Sequence, residues 1–374
     1  SPGPECPDVP TFPSSAIHHP EPMTRLAALA FATGILLGCA DTNAPPPDPV
    51  ELLLVVNRQA NSLTIVPVDQ SEGPVSVDLG TPRGAPRSVA ARERFAVVPL
   101  GDVDAVAVVD LLSRSLVHRI PLPLGSGATG AIMVNDSIAY VGNPGRNSVS
   151  LVNVLSRRTA EVLAGVYPQG FALARGRLFV LNGNLDATGE PVGASWITVI
   201  NPGTNALAPG IDSIPLTGPG NAAYATVGGD GLIYVVNRGG SMPAEGRLSV
   251  VDPLERREVA SFAGLGLLPG ELATDGRSRV FVSSLAEGLL EFNTDSNAVI
   301  RGEGEGIPIS TNAGVAVDSE GRVYAVEAGA CAPGQPGVAH VLDAELEEIR
   351  LIPLGRCAAG ALVVRIGVEA GGGP

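Results

Sequence analysis

Two short apolar patterns alternate along the chain from residue 50 onward. The first has the form aromatic-Val-x-Asn. It appears as Leu54-Val55-Val56-Asn57, Ala96-Val97-Val98-Pro99, Tyr140-Val141-Gly142-Asn143 and Phe179-Val180-Leu181-Asn182. It continues as Tyr234-Val235-Val236-Asn237, Phe281-Val282-Ser283-Ser284 and Tyr324-Ala325-Val326-Glu327, at spacings of 39 to 55 residues. The second pattern follows each of these and ends in Asp or Asn. Its clearest copies are Ser148–Asn153, Trp196–Asn201 and Arg247–Asp252, with others ending at Asp110, Asn293 and Asp343, while Pro67 holds that place in the first repeat. Short runs rich in β-branched residues predict strands, and a terminal Asx side chain bonds nearby backbone to start a turn.

Before each first pattern lies a stretch of small residues with Gly, such as Gln169-Gly170-Phe171-Ala172-Leu173 or Ala313-Gly314-Val315-Ala316-Val317. Each repeat then predicts an innermost strand, two middle strands and a polar outer strand. Four-stranded repeats of about 45 residues predict a β-propeller, whose innermost strands converge on a narrow channel and favour small side chains. The first repeat starts at a middle strand, and an orphan innermost pattern, Ala359-Gly360-Ala361-Leu362-Val363-Val364, sits at the other end. The expected fold is all-β: a seven-bladed β-propeller over residues 50–368 with a composite closing blade formed by both termini, which hides the edge strands. A six-bladed propeller of the NHL or gluconolactonase type is the structural alternative.

The repeat pattern resembles the YVTN-type β-propellers, the bacterial surface and periplasmic repeat proteins related to YncE. The resemblance covers essentially all of residues 50–368. It implies a fold far more strongly than a function, because propellers host lactonases, dehydrogenases and pure binding scaffolds alike.

Residues 1–22 are Pro-rich and aperiodic, and read as a disordered or mis-assigned leader. From Met23 a basic residue, Arg25, precedes an apolar run from Leu26 to Leu37 and then Gly38-Cys39, so residues 23–38 read as a secretory signal peptide. The run is shorter than the roughly 20 residues a spanning helix needs. Leu36-Leu37-Gly38-Cys39 resembles the lipobox of bacterial lipoproteins, which implies a lipid on Cys39 and a cell-envelope location. An ordinary signal peptide with an incidental Cys is the alternative. Residues 39–49 are a Pro-rich tether, and Ala40 lacks the Asp that holds many such lipoproteins at the inner membrane, so the resemblance points to the outer membrane. Residues 369–374 read as a flexible tail.

Composition narrows the chemistry. Gly at 47 and Pro at 33 suit a chain with a turn every few residues. Lys is absent, and 24 Arg against 38 Asp and Glu give a net charge of −14, which disfavours nucleic acid as a partner. His18 and His19 lie in the leader, leaving His118 on an outer strand and His340 in a middle strand, an unpromising pair for metal binding. No nucleophile elbow, phosphate loop or zinc spacing occurs in the repeats. No metal and no cofactor are expected, and the catalytic residues are unassigned.

One acidic residue stands apart. Glu271 occupies the innermost-strand position where other repeats carry Gly170, Gly314 and Gly360. A carboxylate facing the channel would have its pKa raised by desolvation and be poised for acid/base work or a cation; a solvated residue at the channel mouth is the plainer alternative. Arg87, Gln169, Asn221, Asn312 and Arg356 are expected beside it as a polar ring. Glu271, Asn221 and Asn312 are the oxygen donors a lactonase-like metal site would draw on.

The connection between the two middle strands lengthens in three repeats, with insertions at 183–195, 238–246 and 328–337. Their strand register puts them on the face where each chain link enters the next innermost strand. Loops on a rigid scaffold concentrate recognition, although drift of surface loops also produces such insertions. Cys331 and Cys357 share that face, and an even pair in a secreted domain reads as a disulfide, with two buried free thiols as the alternative.

The expected protein is a monomeric cell-envelope lipoprotein, bound to a membrane through its lipid. It acts as a binding or scaffold propeller with an unknown protein or small-molecule ligand on the loop-rich face. The alternative is a lactonase-like hydrolase working at the channel mouth.

Overall fold

The computed structural model describes residues 49–242 and 244–367. The leader, signal, Cys39, tail and most of the tether fall outside this range. The described chain forms seven antiparallel sheets, six of four strands and one of five. Seven sheets exclude the six-bladed alternative. In blade 5 the order from the channel outward is Ala222–Val227, Ile233–Asn237, Arg247–Asp252 and Arg257–Ala263. The two sequence patterns are the second and third strands of every blade. Their register is set in blade 5 by the pairs Ile233 with Val251 and Asn237 with Arg247.

The innermost strands pack one against the next around a full circle: Ala90–Arg92, Ala131–Met133, Pro168–Ala174, Ala222–Val227, Pro269–Thr274, Asn312–Val317 and Ala358–Ile366, which returns to Ala90–Arg92. Glycine allows that convergence. A Cβ on Gly170 would stand 2.1 Å from the carbonyl oxygen of Ala223 in the next blade, and one on Gly130 only 2.0 Å from that of Gln169. Ala358–Ile366 pairs antiparallel with Val50–Asn57, so blade 1 takes its innermost strand from the C-terminal part of the chain and its other three from the N-terminal part.

The middle strands are apolar on both faces because each sheet is covered by a neighbour on either side. Leu52, Leu54 and Val56 pack towards Ala96, Val98 and Leu100 of blade 2. The alternate residues Leu53 and Val55 pack towards Val326 and Val341 of blade 7. A strand buried on both faces reads as an unbroken apolar run, which is the pattern seen in the sequence.

The Asn that closes four copies of the first pattern is a structural clamp. Asn57, Asn143, Asn182 and Asn237 are fully buried. The Asn57 amide donates to Ser62 Oγ at 3.0 Å and Thr64 Oγ1 at 2.8 Å on the third strand, and its Oδ1 accepts the Gly355 N–H at 2.8 Å from the link entering blade 1. Asn143 donates to Ser148 and Ser150, Asn182 to Thr198 and Asn237 to Ser249. The Asx that ends the second pattern acts at the other end of the blade. Asp252 Oδ1 accepts the N–H groups of Leu254 and Glu255, and Asp110 Oδ1 those of Leu112 and Ser113.

Blade 4 departs from the repeat. Its outer edge is two short strands, Ala206–Leu207 and Ser213–Pro215, which both pair with Trp196–Asn201. Pro209-Gly210 lies between them, and Pro cannot supply a ladder N–H.

Candidate functional site

Each innermost strand starts at the face where the middle-strand loops emerge, and five of them start with a register shift. The shifts fall between Pro168 and Gly170, Ala222 and Tyr224, Pro269 and Leu272, Asn312 and Gly314, and Ala358 and Ala361. A bulge re-aims the side chains beside it. The bulged ends of blades 4, 5, 6 and 1 border a cavity of about 450 Å³ whose polar lining comes chiefly from Arg87, Gln169, Asn221, Tyr224, Arg238 and Glu271.

The long loops of blades 4 and 5 wall this cavity on one side and hold each other. Ser241 Oγ donates to Glu190 Oε1 at 2.9 Å, and the Ser241 N–H reaches Glu190 Oε2 at 3.3 Å. Asp186 Oδ1 accepts N–H groups from Thr188 and Glu190, and Glu245 Oε2 accepts that of Gly240. Leu185 and Gly189 of the first loop and Arg238 of the second reach the cavity itself. Behind them Gln169 Nε2 donates to Asn221 Oδ1 at 2.9 Å and to the Ala222 carbonyl at 3.1 Å, while Asn221 Nδ2 donates to the Gly239 carbonyl at 2.9 Å. Both oxygen and nitrogen of the Asn221 amide are thus committed to the wall.

Glu271 lies in the bulge of blade 6 and reaches towards blades 7 and 1. Its Oε2 accepts the Ala361 N–H at 2.8 Å, and the Val315 N–H also bonds the carboxylate. The room it occupies exists because its counterparts are glycines. A Cβ on Gly360 would lie 2.7 Å from Glu271 Oε1, and one on Gly314 3.1 Å from Oε2. One blade supplies the carboxyl group and two neighbours supply the space. Burial pushes its pKa up to about 8, against the opposing pull of the two backbone N–H groups. Its carboxyl group is therefore mostly protonated at pH 7.

Tyr224 stands in the middle of the charged groups. Burial raises its pKa first, the positive charges of Arg238 and Arg87 lower it, and the charge of Glu271 raises it. Arg238 Nε donates to the Pro269 carbonyl at 3.0 Å, which fixes the guanidinium across the gap between blades 5 and 6. Tyr224 and Arg238 were not legible as site residues from motifs. The available signals were an aromatic residue on an innermost strand otherwise built of small ones, and an Arg directly after the clamp Asn237.

The other expected site residues are placed differently. Asn312 is buried at 1% exposure, with its amide donating to the Gly288 carbonyl at 3.0 Å, and it does not line the cavity. Arg356 lines an adjoining groove with Arg58 and Arg83 and donates to the Gln59 carbonyl. Glu271, Asn221 and Asn312 therefore do not converge as a ligand set. Among the described residues no cluster of three or more His, Cys, Asp or Glu side chains could hold a metal ion. His118 Nε2 bonds the Val154 carbonyl, and His340 sits between Glu327 and Glu348 on blade 7.

Cys331 and Cys357 form a disulfide with Cα atoms 4.4 Å apart. It ties the long loop of blade 7 to the link entering blade 1. That loop contributes no residue to the cavity lining, whereas the loops of blades 4 and 5 do, together with Gly101 and Asp102 of the shorter blade 2 loop.

The sequence matches no protein-family model and no curated protein. Solved structures resemble the fold. Hydrazine synthase from Kuenenia stuttgartiensis superposes with a TM-score of 0.60 at 13% identity, covering 78% of this chain and 97% of that one. A streptogramin B lyase gives a TM-score of 0.60 at 13% identity over 76% of this chain and 91% of its own. Virginiamycin B lyase from Staphylococcus aureus gives 0.57 at 13% identity over 72% and 85%. Identity this low speaks for a shared architecture and not for shared chemistry: the chain is a seven-bladed β-propeller.

Proposed function

We propose that this propeller, of the YVTN type, is a cell-envelope binding protein that takes a small polar molecule into the cavity over Glu271. The cavity carries the reading. It is walled by two interlocked loops and lined by Arg87, Arg238, Tyr224 and a neutral Glu271, and its volume of about 450 Å³ falls within the range of small-molecule sites. Polar groups of this kind fix a ligand's orientation, while the rigid ring keeps the pocket preformed. Crystals of the full chain soaked with a metabolite library are expected to show a ligand in contact with Arg238 or Tyr224. Arg238→Ala should weaken its binding about tenfold or more, the usual loss for one charge-assisted hydrogen bond. A ligand whose affinity is unchanged by both Arg238→Ala and Tyr224→Phe would move the site elsewhere.

A second reading rests on the raised pKa of Glu271, a value suited to general acid/base catalysis near neutral pH. In it the protein is a hydrolase or lyase in which Glu271 donates or accepts the proton. A streptogramin B lyase shares the fold, which is compatible with this chemistry without requiring it. Loss of turnover with retained ligand affinity in Glu271→Gln would select this reading over simple binding.

The location belongs to the same proposal. A lipid on Cys39 would tether the propeller to a membrane through residues 39–49. Detergent-phase partitioning is expected for the exported wild type and is expected to be lost in Cys39→Ser. Equal aqueous partitioning of both would remove the anchor and leave a freely secreted propeller.

A further inference from the structure

The arginines around the mouth extend beyond the cavity. Arg58, Arg83 and Arg356 line a second groove, and Ala85 and Asp102 border both spaces, so groove and cavity are continuous. Together with Arg87 and Arg238, five arginines face this one opening. Among the described residues none of the five has a carboxylate within ion-pair distance, whereas half of the other described arginines do, for example Arg146 with Glu161 and Arg279 with Glu291. Asp102 at the rim and Glu271 inside are the two carboxyl groups among the lining residues of both spaces.

Arg58, Arg83 and Arg87 are exposed at the opening, and Arg238 and Arg356 are half-buried. Burial lowers the pKa of Arg58 first, and the charge of Arg87 lowers it further, against the opposing pull of Asp102. Arg356 Nε is buried with no hydrogen-bond partner among the described residues. A chain with a net charge of −14 has acidic groups to spare for pairing these arginines, yet leaves them turned to a concave opening. A cleft lined by one sign of charge focuses the field and concentrates ions of the opposite sign. Planar guanidinium forks pair with carboxylate and phosphate oxygens.

We infer that the site is a two-part anion receptor: one acidic group of an organic polyanion sits between Arg87 and Arg238, and a second lies in the groove of Arg58, Arg83 and Arg356. This rests on the cavity being the binding site and names the class of ligand it takes. Tyr224 O–H and the Glu271 carboxyl are the neutral donors on the inner side. Asp102 at the junction disfavours a third acidic group there and sets a gap between the two charges.

Titration calorimetry of the full chain in detergent tests it, with tricarballylate and pyrophosphate as probes for the carboxylate and phosphate forms and sorbitol as the neutral control. At least one polyanion should bind with a Kd below 1 mM, on the order of a weak but specific site. Affinity should fall severalfold between about 50 and 300 mM NaCl as screening grows. Arg87→Gln with Arg238→Gln should reduce it about tenfold or more, and Arg58→Gln with Arg356→Gln severalfold. Lys replacements, which keep the charge, should recover part of the loss, and circular dichroism melts establish that each variant is folded. Polyanion binding of equal strength in folded Gln variants overturns the inference, as does absence of binding by both probes. A neutral ligand found over Glu271 in the soaked crystals also overturns it while leaving the cavity as the binding site. A cavity empty of every ligand sinks both.

Discussion

Removing residues 357–374 is expected to abolish soluble folding or to lower the melting temperature by more than about ten degrees. The deletion takes the innermost strand of blade 1, which pairs with Val50–Asn57 from Val50 opposite Ile366 to Asn57 opposite Ala358. It uncovers the edge of a strand whose Leu52, Leu53 and Leu54 are almost wholly buried. It also breaks the circle of innermost strands, so that Asn312–Val317 and Ala90–Arg92 each lose one of their two neighbours. Several ladder hydrogen bonds and the burial of Val363, Val364 and Ile366 are lost together. At about 1 kcal/mol per bond and about 2 kcal/mol per apolar side chain, the cost matches the entire stability of a typical domain. The Cys331–Cys357 bridge goes with the strand, so the double variant Cys331→Ser, Cys357→Ser serves as the control. Its loop of 26 residues is worth about 3 kcal/mol in the chain-entropy model, well short of the loss expected from the deletion. A truncated protein that melts like the wild type would show that the ring does not depend on this strand.

The architecture was legible because each of its constraints leaves a mark on the sequence. Burial on both faces of the middle strands gives unbroken apolar runs, and turns at fixed places give Asp and Asn at fixed places. The convergence of seven strands gives glycines such as Gly170, whose Cβ would strike the next blade. The clamp Asn was visible as a recurrence, but its reason was not, since the hydroxyls it bonds lie on a separate strand. The split outer edge of blade 4 was hidden too, because polar outer strands carry little pattern to interrupt.

The site was legible only in part. Glu271 stood out against the glycines of its register, and the structure shows why they belong together: Gly314 and Gly360 make the space its carboxyl group fills. Arg87, Gln169 and Asn221 line the same cavity, whereas Asn312 points its amide at a backbone carbonyl between blades. Register tells which end of a strand a residue occupies. It does not tell whether the side chain turns to the channel or to the neighbouring sheet, and the bulges at the strand starts decide that. The loop of blade 7 looked equivalent to those of blades 4 and 5 by length. The Glu190–Ser241 contact that draws the latter two together over the mouth has no counterpart in spacing.

Replacing Glu271 by Gln is expected to stabilise the protein increasingly as pH rises from about 4.5 to about 8, and by a constant amount above that. Burial holds the carboxyl group neutral up to about 8 in the folded chain, against an ordinary value of 4.5 when unfolded. Between these values the unfolded chain has released a proton that the folded chain still holds, so wild-type stability falls as pH rises through this window. Stability from this group is fully present below about 4.5 and is lost by the time the folded carboxyl ionises. The gap corresponds to roughly 5 kcal/mol, which for a domain of this size is several degrees in melting temperature. Other carboxylates slope the opposite way. Hydrogen bonds from Arg146 and Ser148 lower the pKa of Glu161, and those from Thr188 and Glu190 lower that of Asp186, so both lend stability that acid removes. They are common to wild type and variant and cancel in the difference. Gln keeps an oxygen for the Ala361 N–H and fits beside Gly314 and Gly360, so packing is preserved. Arg87 and Arg238 face the group across the cavity with Tyr224, and an anion between them would take up part of their charge and push the Glu271 carboxyl further towards its neutral form. Calorimetric melts of both proteins from pH 4 to 9 read the effect directly. Curves that stay parallel across that range would mean the carboxyl titrates as it does in water, and the acid/base reading of the cavity would fall with it.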